Sequence, residues 1–182
     1  AVNTIRRCTE GWEGDMLDGT GMVQAILEKN IQLKDKRVIL AGAGGAGKAI
    51  AFELLLAGVA ELAIFDLDAS RQQQLVEQLS QLQKGKVIAH DNNPNGFDVV
   101  VNATPMGMNG DLSAAFQLEQ LTENMAVADV VTSPAETPFV KHATQLGCVA
   151  VKGTDMFIKA RDLMVSFLLE NQTVDGDKHD AA

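Results

Sequence analysis

Gly42-Ala43-Gly44-Gly45-Ala46-Gly47 carries the spacing G-x-G-x-x-G, and Asp66 follows Gly47 by 19 positions. Glycines so spaced hold a phosphate when a strand leads in and a helix leads out. Here Arg37–Ala41 (RVILA) is a short β-branched and apolar run, and Lys48–Leu56 reads as helix. Gly42 would permit the tight turn, Gly44 would let backbone approach a pyrophosphate, and Gly47 would let helix and strand pack closely. Ala43, Gly45 and Ala46 complete a loop whose amides, with the positive end of the helix dipole, supply an anion site. The plain alternative is a tight glycine turn that binds nothing. Lys48 does not complete G-x-x-x-x-G-K-[ST], so the loop is not a P-loop.

Asp66 ends the run ELAIFD, where a carboxylate can hydrogen-bond both ribose hydroxyls of NAD and repel the 2′-phosphate of NADP. Asp68 adds a second negative charge, and Arg71 is the nearby cation that would compensate a phosphate. NAD is therefore expected ahead of NADP. The competing reading makes Asp66 a turn residue or a helix N-cap. A second run, Val99–Met108 (VVVNATPMGM), empties a buried strand into Asn102 and Thr104, and Pro105 and Gly107 then force an irregular loop. Ligands of open α/β sheets bind at the carboxyl ends of strands, so Asn102, Thr104 and Met106 should face the cofactor.

The elements that must position these residues alternate. Strands are expected at Arg37–Ala41, Glu61–Asp66, Lys86–His90, Asp98–Ala103, Met125–Val131 and Cys148–Lys152. Helices are expected at Thr20–Lys29, Lys48–Leu56, Ser70–Gln83, Thr137–Gly147 and Thr154–Asn171, with a turn cluster at Asp91–Gly96. Near-continuously apolar strands alternating with helices imply a parallel sheet covered on both faces. The expected fold class is therefore α/β: a doubly wound parallel sheet of Rossmann type, in a three-layer αβα sandwich.

Composition narrows the function. The chain has 182 residues, 46% of them hydrophobic and 21% charged, which suits one folded domain with an aliphatic core, since Tyr is absent and Trp occurs once. A net charge of −9 argues against a nucleic-acid partner. No apolar run reaches the ~20 residues of a membrane span. Cys8 and Cys148 have neither disulfide-framework nor metal-ligand spacing, which fits a reducing cytoplasm. His90, His142 and His179 are isolated, so no metal is expected.

Taken together, the motifs resemble those of the shikimate/quinate dehydrogenase family. Gly42–Ala49 is similar to its G-x-G-G-A-x-[RK]-A loop, and Asn102–Met108 to its N-A/C-T-P-x-G-M segment. Ala1–Thr4 resembles its G-A-V-N-T segment, and Asp15–Gly21 its N-T-D-G-x-G. Asp129–Val131 with Thr137–Phe139, and the stretch from Gly153 to Phe167, occupy two further blocks in the same order. The resemblance implies a reversible hydride transfer between NAD(P) and a ring hydroxyl of a shikimate-like hydroxy acid. It implies Asp18 as catalytic and substrate-contacting, Asn3 as substrate-binding, and Val130 and Gly153 at the cofactor. By residue type alone, Asp18 is equally a turn former or helix N-cap, and Asn3 a turn residue. Aromatic amino acid biosynthesis is the metabolic setting implied, and a homodimer is compatible with the resemblance.

The sequence departs from the family at Met16-Leu17 before the aspartate, at Thr132 in place of a tyrosine, and at Asp155 and Ala160 in place of a glycine and a glutamine. The family's N-R-T is Asp66-Leu67-Asp68 here, which again favours NAD. The family's catalytic lysine lies in an N-terminal substrate domain, and no lysine here matches it. Residues 1–30 are accordingly expected to be a remnant of the substrate-domain side with a linking helix. Residues 31–172 would form the NAD(P)-binding domain and 173–182 a disordered tail. The alternative is a catalytically inactive dinucleotide-binding module or sensor.

Overall fold

The computed structural model describes residues 2–170. In chain order the strands and helices are β1 (Thr4–Cys8), β2 (Gly11–Asp15), α1 (Asp18–Glu28), β3 (Arg37–Ala41), α2 (Gly45–Leu56), β4 (Glu61–Phe65), α3 (Ala69–Ser80) and β5 (Lys86–Ala89). They continue with β6 (Val99–Asn102), β7 (Ala126–Asp129), α4 (Pro138–Gln145), β8 (Val149–Val151) and α5 (Gly153–Leu169). The expected tail at 173–182, and the last two residues of the expected cofactor domain, lie outside the described residues.

Val38, Ile39, Leu40 and Ala41 of β3 are all fully buried. A run apolar on both faces belongs in the middle of a parallel sheet, where each large aliphatic side chain contributes roughly 1.5–3 kcal/mol. β3 is indeed central: the six-stranded sheet has the order β5-β4-β3-β6-β7-β8, with every pair parallel. The order reverses between β3 and β6, and in open α/β sheets the ligand crevice lies outside the carboxyl ends of the strands at such a reversal. The glycine loop leaves β3 and the Asn102 loop leaves β6, so the topology puts both runs at that crevice.

Register across the first three strands is clamped by charge. Arg37, Glu61 and Lys86 are successive cross-strand partners. The Glu61 carboxylate accepts from Arg37 at 2.7 Å and from Lys86 at 2.8 Å, and both contacts hold its carboxyl below the usual range.

The two faces of the sheet are covered unequally. Residues from α1, α2, α3 and α5 pack on one face. The other is covered by α4, by Phe97, and by Ala115, Phe116, Leu121 and Met125 from the long β6–β7 connection. That connection holds only a short 3-10 turn at Leu118–Gln120, so this layer of the sandwich is thin and mostly irregular. The largest departure from expectation is at the start of the chain. Only a helix was anticipated in residues 1–30, yet β1 and β2 form a separate antiparallel hairpin. β2, Gly-Trp-Glu-Gly-Asp, is exposed along its whole length and has no apolar alternation to reveal it.

Candidate functional site at the strand-order reversal

The glycine loop is built by contact. Gly42 has φ +104°, and a Cβ there would lie 2.7 Å from the Ala103 carbonyl oxygen. A Cβ on Gly47 would lie 1.9 Å from the Gly42 oxygen, so only glycine lets α2 start this close to β3. Gly44 differs: a Cβ there would meet nothing within 4 Å. It faces open space at the head of a helix.

That helix end is unsatisfied. Gly44 is the N-cap of α2 and no side chain caps it, whereas α3 and α4 begin on the capping side chains of Asp68 and Thr137. The leading amides of α2, those of Gly45 and Ala46, thus keep their donors and the positive dipole end for an anion. The cradle fits the diphosphate of a dinucleotide.

Asp66 borders this loop. Its Oδ2 accepts from the Ala43 amide at 2.7 Å, and its Oδ1 accepts from the Asp68 amide at 2.8 Å. The carboxylate fixes the first turn of the loop from the neighbouring strand and keeps further lone pairs for hydroxyl donors. In geometry it is therefore a turn residue and not the cap of α3. The helix cap is Asp68, whose Oδ1 accepts from the amides of Ser70 and Arg71. Arg71 Nε donates to Asp68 Oδ2 at 3.0 Å. The sequence marked both charges but not their pairing. The signal was available, since Asp-Ala-Ser-Arg opening a helix is a capping pattern.

Across the crevice the Asn102 loop is organised from within. Asn102 is buried, donates to Asp129 Oδ1 at 3.0 Å, and accepts from the Thr104 amide and hydroxyl at 3.0 and 2.6 Å. The Thr104 oxygen in turn accepts from the Met106 amide. Asn102 thus shapes the loop from inside, and Thr104, Met106 and Val130 are the half-buried residues nearer its surface. Asp129 is fully buried and accepts from Thr137 Oγ1 at 2.6 Å and from the Val131 amide at 2.9 Å. Burial pushes its carboxyl up, against the pull of Thr137, Val131, Asn102 and Val130. This hub ties the β6 and β7 loops together. Sequence reading placed Asp129 in a block without giving it a role.

Gly153 opens α5, and a Cβ there would sit 2.2 Å from the Val131 oxygen, so α5 starts hard against the β7 loop. α1 is wedged by the same means. A Cβ on Gly19 would meet the Ala49 oxygen at 2.4 Å, and one on Gly21 the Ala160 nitrogen at 2.9 Å. These contacts hold the head of α1, and Asp18 with it, against α2. Ala160, the residue that stands for a glutamine, is buried in this crossing.

Asp18 and Asn3, 15 positions apart, are brought together: Asn3 Nδ2 donates to Asp18 Oδ1 at 2.7 Å. Asn3 Oδ1 accepts from the Leu17 amide, so the carboxamide fastens the hairpin to the helix. Partial burial raises the Asp18 carboxyl above its ordinary value, and the Asn3 bond works against that rise. No helix among the described residues is long and apolar enough to cross a membrane.

The chain is similar to several known proteins. The family model for shikimate / quinate 5-dehydrogenase matches residues 22–108. Quinate/shikimate dehydrogenase (NAD(+)) of Corynebacterium efficiens is 37% identical over 166 residues, covering 87% of this chain and 58% of the relative. Shikimate dehydrogenase (NADP(+)) of Lysinibacillus sphaericus is 34% identical over 167 residues, with the same two coverages of 87% and 58%. The ligand-free 5-ketofructose reductase of a Gluconobacter strain superposes with a TM-score of 0.85 at 32% identity, covering 93% of this chain and 63% of that one. The chain thus spans less than two thirds of the length of the proteins it matches.

Proposed function

We propose, for a chain that is a relative of the shikimate and quinate dehydrogenases, that it forms the cofactor-holding part of an NAD-dependent oxidoreductase. The reaction is hydride transfer to or from a ring hydroxyl of a shikimate-like hydroxy acid. The observation that carries this is the uncapped head of α2, open at Gly44 and bordered by Asp66. The pyrophosphate sits on the amides around Gly44, Gly45 and Ala46, with Gly42 and Ala43 forming the turn beneath. Asp66 takes the ribose hydroxyls, and Arg71 stands at the edge of that subsite. Thr104, Met106, Val130 and Gly153 wall the nicotinamide side, and Asn102 sets the loop's shape.

When bound, the nicotinamide supplies the hydride chemistry. An alcohol that loses hydride also loses a proton, and Asp18 holds or passes that proton at its free carboxylate oxygen. Its raised carboxyl suits the task, and Asn3 orients it and contacts a substrate hydroxyl. The remaining substrate contacts come from a substrate-side part packed against the hairpin and α5. The exposed apolar residues Ile5 and Trp12 of the hairpin, and Phe157, Val165 and Leu168 of α5, support a covering partner there. The name of the ketofructose reductase widens the class of carbonyl to be tried. The two cysteines, both free thiols, accord with a cytoplasmic setting.

Calorimetric titration of the chain with NAD and with NADP tests this. Micromolar-to-millimolar NAD binding, tighter than NADP, is expected. A folded chain that binds neither would refute the reading. Binding without turnover, once the chain is joined to a substrate-side domain and offered hydroxy acids, would favour the non-catalytic module, a reading that Ala160 in place of a glutamine supports.

A further inference from the structure

α4 buries Phe139, Val140 and Ala143 against the sheet and turns another face outward. Pro138, Lys141, His142 and Gln145 recur there at three- and four-residue spacing, and all four line a groove of about 430 Å³. The facing wall comes from the β6–β7 connection, through Asp111, Leu112 and Leu118, with Pro134 from the loop after β7. That volume lies in the range of small-molecule sites, roughly 300–1,000 Å³. The groove shares no residue with the glycine loop, Asp66, Asn102 or Asp18.

Its two acids are already committed. Asp111 accepts from the Ser113 hydroxyl and from the amides of Gly107 and Ser113, and Glu136 pairs with Lys152 at 2.6 Å. Its two bases are not. The side-chain hydrogen bonds of α4 and its cap are those of Thr137 and Thr144, and among the described residues Lys141 and His142 form none. Lys141 reaches Glu136 only through the field around it. The rest of the lining is apolar and poorly covered: Leu112 is 85% exposed, and Pro134 is exposed beside it.

We propose that this groove binds a small monocarboxylate with an apolar body. The carboxylate takes the Lys141 ammonium and a ring N–H of His142, which imidazole offers in either charge state. The apolar body covers Leu112, Leu118 and Pro134. A phosphate dianion suits the groove less well, because the carboxylates of Asp111 and Glu136 repel its second charge. The occupant also reaches the loop that ends at Met108. Asp111 Oδ2 accepts from the Gly107 amide at 3.1 Å, and a Cβ on Gly107 would lie 3.3 Å from Pro138 Cδ. The Gly107 amide is therefore a reporter for the groove.

The test titrates hydrocinnamate into the nitrogen-15-labelled full chain and follows its amide resonances. Saturable shifts are expected at Gly107, Ser113 and Lys141, with a dissociation constant in the millimolar range usual for so small a ligand. Lys141→Gln, an exposed change checked by thermal melting, should weaken binding about threefold to fivefold, the scale of one exposed ion pair. Hydrocinnamide, which lacks the charge, should bind the parent chain more weakly by a similar factor, and acetate, which lacks the apolar body, should not saturate. Shifts confined to Gly44–Ala46 would place the carboxylate on the head of α2 and overturn the proposal. Shifts that never saturate, equal affinity for K141Q, or equal affinity for the amide overturn it too. Inorganic phosphate binding more tightly than hydrocinnamate at the same amides overturns the class of ligand. Each result is independent of whether the chain binds NAD.

Discussion

The Asn3 carboxamide donates to Asp18 Oδ1 at 2.7 Å, joining the segment before the hairpin to the first residue of α1. The bond restrains a carboxylate whose neighbours penalise its charge. Burial raises the Asp18 carboxyl, so the folded state binds its proton more tightly than the unfolded chain does. Stability from this group is greatest below the ordinary carboxylate range and declines as pH rises through it. Asp18→Asn keeps an oxygen to accept from Asn3 and removes the charge. The helix dipole favours that charge and the site is half exposed, so the gain in stability at pH 7 stays below about 1 kcal/mol. Melting curves from pH 3 to 8 should show variant and parent converging in acid. A gap that widens toward acid would contradict the sign.

Glu61 has the opposite sign. Lys86 and Arg37 lower its carboxyl, so its contribution is present above the ordinary carboxylate value and lost as pH falls through the folded one. Glu61→Gln leaves Arg37 and Lys86 facing a neutral amide across the register clamp. It is expected to cost about 1 kcal/mol at neutral pH, with the difference closing in acid. Added salt at pH 7 should shrink the difference as well, because both cations are exposed.

The parallel sheet was legible because its strands are apolar on both faces. RVILA and VVVN have no other stable home, and the glycines between strand and helix punctuate them. The site's backbone was legible for the same reason, since Gly42 and Gly47 are forced by contacts that a Cβ would break. The hairpin was hidden because β2 buries nothing, and burial is what writes period two into a sequence. The thin second layer was hidden because Ala115, Phe116, Leu121 and Met125 pack from irregular backbone without periodicity. Side-chain pairings such as Asp68 with Arg71, or Asn102 with Asp129, depend on rotamers and cross-strand proximity. Residue type alone left Asp66 open as a ribose ligand or as a turn residue or helix N-cap. The structure gives the cap of α3 to Asp68.

Thr137 joins two roles in one hydroxyl. It donates to the buried Asp129 at 2.6 Å and accepts from the Val140 amide to cap α4. Thr137→Val keeps the shape and removes both bonds, leaving a fully buried carboxylate one donor short. A cost of about 2–3 kcal/mol is expected, combining a lost cap with a buried, less satisfied acceptor. Asp129 also holds Asn102, so the β6 loop should loosen with it. Hydrogen exchange at the Thr104 and Met106 amides should quicken in the variant more than at β3. Uniform quickening would show that the hub stabilises the domain without specifically holding the loop.

Gly44 and Gly47 stand three residues apart in one loop and should fail in different ways. Alanine at 47 places a Cβ 1.9 Å from the Gly42 oxygen, so α2 must move away from β3. Destabilisation of about 2–4 kcal/mol is expected, a drop in melting temperature of roughly 5–15 °C for a domain of this size. Alanine at 44 meets nothing within 4 Å, and the N-cap there has φ −77° and ψ −167°, which alanine adopts freely. The melting temperature of Gly44→Ala should stay within a few degrees of the parent, while its new methyl stands where the pyrophosphate must approach the backbone. NAD affinity should fall at least about tenfold, the scale of one lost charge-assisted hydrogen bond. A Gly44→Ala chain that melts normally and binds NAD as well as the parent would show that the phosphate does not lie over Gly44.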